Sequence, residues 1–232
     1  ANVQDQARGW KNGRFNLDMI PVPSREQVRL RIAFASNDGN TTKDSVDGFA
    51  FDNIFVGDKK RNVLLEHFTN ASSPIAVTAN ATLDALYDAQ IPEKAESDFF
   101  KIQYHIGIPG EDELNLQNPT DPAARRFFYG IDQPPVTIMD GIIGEYKIGQ
   151  EFSTTLNGSF SQITRQLLDQ RALEDPLFAI TITPQESPEN ILMANVKFTY
   201  IDSMTSLSNP VVLQVALIET DVNGNRNVVR KL

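Results

Sequence analysis

The stretch Leu64–Leu86, "LLEHFTNASSPIAVTANATLDAL", decides how the chain is read. It opens on a short, mostly apolar run of the kind a strand shows when both faces of its sheet are covered. Asn70 to Ser73 are turn residues. Ser73 followed by Pro74 marks a helix start, with serine as N-cap and proline at the first helical position, where its missing N–H is not needed. A helix from about Pro74 to Ala89 follows, and strand, tight loop and helix together enter an α/β layer.

Downstream the same logic gives a strand in "FFKIQYHIG", a helix over "DPAARRFFYG", two strands within "VTIMDGIIGEYKIG" and a helix near Gln162 to Arg171. The order is βαβ and then αββα, an α/β layered domain. Upstream, "RFNLDMIPV", "QVRLRIAFAS" and "GFAFDNIFV" alternate apolar and polar residues between clusters of Pro, Gly, Asn and Asp, which predicts antiparallel strands. Alternation returns in "LFAITITP", "LMANVKFTYI" and "VVLQVALIET". The charged run "DKKRN" puts a boundary near Lys60. The expected architecture is multidomain, α/β plus all-β. Residues 1–59 would be the last part of a β-sandwich, 60–172 the α/β domain and 173–232 the start of a second β-sandwich, the whole an excerpt of a longer chain or part of a larger assembly.

A chain of 232 residues, 41% hydrophobic, is long enough for a sizeable core. Its net charge of −9 leaves no basic footprint, which disfavours nucleic acid and anionic lipid as partners. No apolar run approaches the roughly 18 residues of a membrane span, and "ANVQDQARGW" lacks the charged and apolar regions of a signal peptide. Cysteine is absent, so disulfides, thiolate nucleophiles and cysteine-ligated zinc are excluded. That absence is compatible with either side of a membrane.

Two separated segments resemble the thioredoxin fold. In the first, His67, Phe68, Thr69, Asn70, Ala71 and Ser72 lead to Ser73-Pro74-Ile75-Ala76, where thioredoxins carry Cys-Gly-Pro-Cys at the start of a helix. In the second, "YGIDQPPVTIMDGIIGEYKIG" is similar to the family's run through a cis-proline into a strand and hairpin, with Pro135 at the cis-proline position. "LLEHFT" and the terminal "VALIETDVNGNRNVVRKL" more narrowly resemble the Omp28-related thioredoxin-like secreted and outer-membrane proteins of Bacteroidota. "DGFAFDNIFV" is similar to the closing strand of a cleaved-adhesin, MAM-like jelly roll. The resemblance implies a thioredoxin-like domain flanked by incomplete sandwiches, the first of them a jelly roll. It also implies export to the cell surface, the outer membrane or the medium, and a protein or glycan partner.

The departure from the family pattern is chemical. Thiol exchange needs an attacking thiolate and a resolving thiol, and Ser73 and Ala76 supply neither. His67 stands where the family places a buried acid. A hydrolase triad of Ser73, His67 and Glu66 conflicts with strand geometry, because adjacent strand residues point to opposite faces. The expectation is therefore no enzyme and no cofactor, but a binding protein on a redox-inactive scaffold. The alternatives are a thiol-independent chaperone using the crevice near Pro135 and a structural spacer in a surface assembly.

Other constellations are weaker. His67 and His105 could approach on adjacent parallel strands, but zinc needs three or four ligands. Asp38, Asp44, Asp47 and Asp52 offer the oxygen ligands that suit calcium, without the EF-hand order; solvated turn acids are the plainer reading. "GIPGEDELNLQNPTDP" reads as a long acidic loop, solvated or partner-recognising. Ser45 and Ser203 follow aspartate and precede an apolar residue, the pattern of O-glycosylation in Bacteroidota. Asn40, Asn70, Asn80 and Asn157 begin N-x-S/T triplets, which carry little weight if the source is bacterial, as the resemblance implies.

Overall fold

The structure, a computed structural model, describes residues 13–17, 20–33, 50–52, 54–89, 99–148, 152–185, 191, 193–201 and 210–232. It is a mixed α/β molecule with several sheets and few helices. The central sheet has five strands, in the order β3-β1-β2-β9-β8. β1 (Val63–Thr69) runs parallel to β2 (Phe99–His105) and antiparallel to β3 (Val136–Met139). β4 (Gly144–Ile148) and β5 (Phe152–Leu156) form one separate hairpin, and β6 (Phe178–Gln185) and β7 (Met193–Tyr200) form another. β8 (Leu217–Val222) and β9 (Asn225–Lys231) complete the central sheet.

β1 is buried along almost its whole length, as its apolar run requires, and its alternate residues feed two cores. Val63 and Leu65 point to one face, with Phe99 and Met139. There they pack against Leu83 of α1 (Pro74–Asp88), Leu167, Leu168 and Ala172 of α4 (Arg165–Ala172), and Tyr146 and Leu156 of the β4–β5 hairpin. Phe68 points to the other face with Ile102, Tyr104, Ile138 and Val229, where Tyr129 of α3 (Thr120–Tyr129) packs against them. Between β2 and α3 lies the short helix α2 (Glu113–Gln117).

Local chemistry sets the helix ends. Ser73 adopts an extended backbone and its hydroxyl accepts from the Ala76 N–H, with Pro74 in the first turn; this is the predicted cap. Thr164 does the same for α4 through the Leu167 N–H. α3 ends at Gly130, whose φ of 64° is left-handed and returns its N–H to the helix's last carbonyls; glycine adopts that conformation at no steric cost.

Three expectations are corrected. The described residues of 1–59 contain a 3₁₀ turn at Val22–Gln27 and otherwise extended chain, with no strand. Alternation specifies which side a strand would bury, but does not supply a neighbour to hydrogen-bond. β4 pairs with β5, a strand missing from the sequence reading, and not with β3; an isolated Met139–Ile142 bridge lies in the turn between β3 and β4. Left-handed Asp140 and Gly141 turn the chain away there. Third, the boundary at 172 does not isolate all that follows, because β9 lies parallel to β2 at Gln103–Val228 and brings β8 with it. The Asn227 amide donates to the Lys101 carbonyl, and Asn118 to that of Arg230. Buried Val228 and Val229 explain why this strand prefers the central sheet: it carries apolar residues to a sheet edge that would otherwise be bare.

Candidate functional site

The carboxyl ends of parallel β1 and β2 lie side by side, which is where open α/β sheets offer a crevice. Two loops meet there. The Asn70 side-chain nitrogen donates to the carbonyls of Ile106 (2.6 Å) and Gly110 (2.8 Å), while its oxygen accepts from the Ser72 N–H at 2.7 Å. The Ser72 hydroxyl donates to the Glu111 carbonyl. A Cβ on Gly110 would lie 3.2 Å from that of Ser72, so the loops are in close contact. The Ile108–Pro109 peptide bond in this crossing is cis.

Asp112 is the hub of the second loop. Its carboxylate accepts from the Ala71 N–H at 2.8 Å and from His105 Nδ1 at 2.9 Å, and also from the Leu114 and Asn115 N–H groups that open α2. Burial works to raise its pKa, but His105 and the Ala71 and Asn115 N–H groups outweigh that and hold it below the ordinary carboxylate value. The presumed acidic loop is thus in part a capped helix. The sequence signal for it was Asp112 directly before "ELNL", an N-cap ahead of a short helical run.

His67 is fully buried. Its Nε2 lies 2.8 Å from Asn80 Oδ1, which also accepts from the Thr69 hydroxyl, so Nε2 carries the hydrogen. Nδ1, 2.9 Å from Thr137 Oγ1, then accepts from that hydroxyl. Burial depresses its pKa to about 3, assisted by the charge of Lys101, so the ring is neutral. Both nitrogens are occupied, and neither is paired with Ser73. Glu66 points to the opposite face, where it accepts from Arg125 at 2.7 and 3.0 Å, from Tyr104 at 3.1 Å and from Tyr129. The three candidate triad residues are thus dispersed.

Ser73 is 6% exposed and Ala76 fully buried, so both residues expected at the redox-loop positions are built into the helix start. The Pro134–Pro135 peptide bond is cis. Beside it lies a cleft of about 380 Å³ lined by Ile75, Pro135, Val136 and residues 157–160. Thr137 N–H donates to the Gly158 carbonyl at 2.8 Å. A Cβ on Gly158 would lie 2.7 Å from Val136 Cγ1, and its φ of 86° is left-handed; residue 158 is confined to glycine by both. The lining has no carboxylate, imidazole or amine, so the cleft has apolar surface and amide and hydroxyl groups to offer a ligand, and no proton-transfer group.

The other predicted positions separate. His67 and His105 lie on neighbouring strands but keep different partners, and among the described residues no group of three acidic or histidine ligands could hold a metal. Asp52 is exposed; Asp38, Asp44 and Asp47, like Ser45, Ser203 and Asn40, lie outside the described residues. Asn70 is buried, with its side-chain nitrogen committed to two carbonyls, and the Asn80 oxygen is held by His67 and Thr69. The Asn157 oxygen accepts from the Ser159 N–H at the cleft rim. No described helix is long and apolar enough to cross a membrane.

Compared with protein-family models, with curated proteins and with solved structures, the chain matches none.

Proposed function

We propose that this chain is a non-catalytic binding protein built on a redox-inactive thioredoxin-like scaffold, exported to the cell surface or outer membrane, with a protein or glycan as partner. The observation that carries the proposal is the pairing of a cleft beside Pro135 with a helix start whose two thiol positions are Ser73 and Ala76. Ser73 is engaged as an N-cap and Ala76 sits in the core. Support for the scaffold comes from parallel β1 and β2, antiparallel β3 and the cis bond before Pro135. Export and the relation to Omp28-like proteins of Bacteroidota rest on sequence resemblance.

The test is binding of a peptide library and a glycan array to the whole chain, beside Ile75→Asp. Ile75 is 63% exposed at the cleft, so the substitution alters the surface without opening a core. Ligands retained by the parent chain and lost by the variant support the proposal. Binding that ignores the substitution, or no binding at all, counts against it. A thiol-independent chaperone is the second reading, favoured by exposed Val77 beside Ile75 on the same helix start. Suppression of aggregation of a reduced client protein separates the two.

A further inference from the structure

The sequence holds three Asn-Gly pairs. In this dipeptide an asparagine amide is most open to attack by the next backbone nitrogen, because glycine puts no Cβ in the way and lets the backbone rotate toward the ring. One pair begins at Asn12, outside the described residues. The other two, Asn157-Gly158 and Asn223-Gly224, sit in turns of opposite character.

Asn223-Gly224 is the two-residue turn of the β8–β9 hairpin, closed by the Val222–Asn225 pair. Both residues are left-handed, with φ of 52° and 81°, as so tight a hairpin turn requires. The Gly224 N–H, whose nitrogen would attack, donates to Asp221 Oδ1 at 3.2 Å. The backbone is fixed there and the nucleophile is occupied.

Asn157-Gly158 follows β5 at the rim of the cleft beside Pro135. Asn157 is exposed, so water reaches its amide. Its side-chain oxygen accepts from the Ser159 N–H at 3.0 Å. That bond folds the amide forward over the Gly158 peptide and draws electron density away from Cγ. Its backbone N–H donates to Gln162 Oε1 at 3.0 Å, which steadies the loop. Among the described residues no acceptor takes the Gly158 N–H or the Asn157 side-chain nitrogen, so nucleophile and leaving group are both free.

We infer that Asn157 is a self-modification site that converts the rim of the cleft from amide to carboxylate. The bond from Gly158 N to Asn157 Cγ forms as the Cγ–Nδ2 bond breaks, and ammonia carries off the proton of the Gly158 N–H. The succinimide left behind takes up one water at either carbonyl and opens to aspartate or isoaspartate. Either product puts a negative charge in a cleft whose lining has none. Aspartate keeps the acceptor for the Ser159 N–H. Isoaspartate adds a methylene to the backbone just before Gly158, where even a Cβ would lie 2.7 Å from Val136 Cγ1, and so reshapes the cleft. A cationic ligand of the proposed binding cleft would gain from the new charge and an anionic one would lose; the conversion itself depends on no ligand.

The test compares the two turns within one molecule. The whole chain is held at mildly alkaline pH and physiological temperature, folded or in denaturant, and then digested with trypsin in mildly acidic buffer. Cleavage after Lys147 and Arg165 isolates Asn157, and cleavage after Lys197 and Arg226 isolates Asn223. Mass spectrometry follows amide-to-acid conversion at each residue, and enzymatic methylation of isoaspartate reports the cyclic route. In the folded chain Asn157 should convert at least about fivefold faster than Asn223, the worth of the one hydrogen bond that holds the Gly224 nitrogen, with isoaspartate among its products. In denaturant the two rates should converge. An Asn157 that stays intact, equal rates in the folded chain, a difference that persists in denaturant, or conversion without isoaspartate would overturn the inference.

Discussion

At the scale of single residues, His67 and Asp112 are two buried polar groups whose protonation is tied to the fold. His67 is neutral in the folded chain with a pKa near 3, whereas an unfolded histidine titrates near 6.5. The unfolded state therefore binds the extra proton first. Stability is at its full value above about pH 6.5 and falls as pH drops toward 3, with a slope up to about 1.4 kcal/mol per pH unit from this group. His67→Gln should flatten that part of the profile, as denaturant unfolding at a series of pH values would show; an unchanged slope would mean that His67 is not the titrating group. Asp112 works in the opposite chemical sense. Its carboxyl is held below the usual value, so its contribution is present above about pH 4 and is lost as acid protonates it. Asp112→Ala removes the acceptor for His105, Ala71, Leu114 and Asn115 together and should cost about 3 kcal/mol. A loss below about 0.5 kcal/mol would show that water replaces it.

At the scale of elements, caps and strand faces decide. Ser73→Ala deletes the cap of α1 and should lower stability by about 1 kcal/mol. Gly130→Ala forces a side chain into the left-handed end of α3 and should cost about 1 kcal/mol. Thermal unfolding of the two variants checks both, and a neutral effect in either would remove the cap from the description of that helix. These local features were legible in the sequence: Ser73-Pro74 announced α1, "VLLEHF" announced a strand buried on both faces, and strand alternation sent Glu66 and His67 apart. What was not legible depended on partners distant in sequence. Nothing in "GEDELNL" announces that Asp112 will meet His105 and Ala71, and nothing in "QVRLRIA" says whether a neighbouring strand exists. β3 and β4 are both legible in "VTIMDGIIGEYKIG", but β5 is not, because the polar "FSTTL" carries little apolar alternation and is held as a strand by its pairing with β4.

At the scale of the whole molecule, the central sheet draws on both the middle and the end of the sequence, since β9 lies against β2. Composition could set the class and the candidate chemistry, but not which strand would cover that edge. The proposed thioredoxin-like reading can be tested by placing thiols at the two positions where it expects them. In the cysteine-free chain, Ser73→Cys and Ala76→Cys together place two thiols at the start of α1, beside Pro135. The measurement is dithiol-driven insulin reduction by the parent chain and by the double variant, each corrected for the dithiol alone. A thioredoxin-like scaffold without its sulfurs predicts no rate for the parent above the blank and a clear rate for the variant. A parent that reduces insulin, or a folded double variant that forms its disulfide and stays inert, would contradict it.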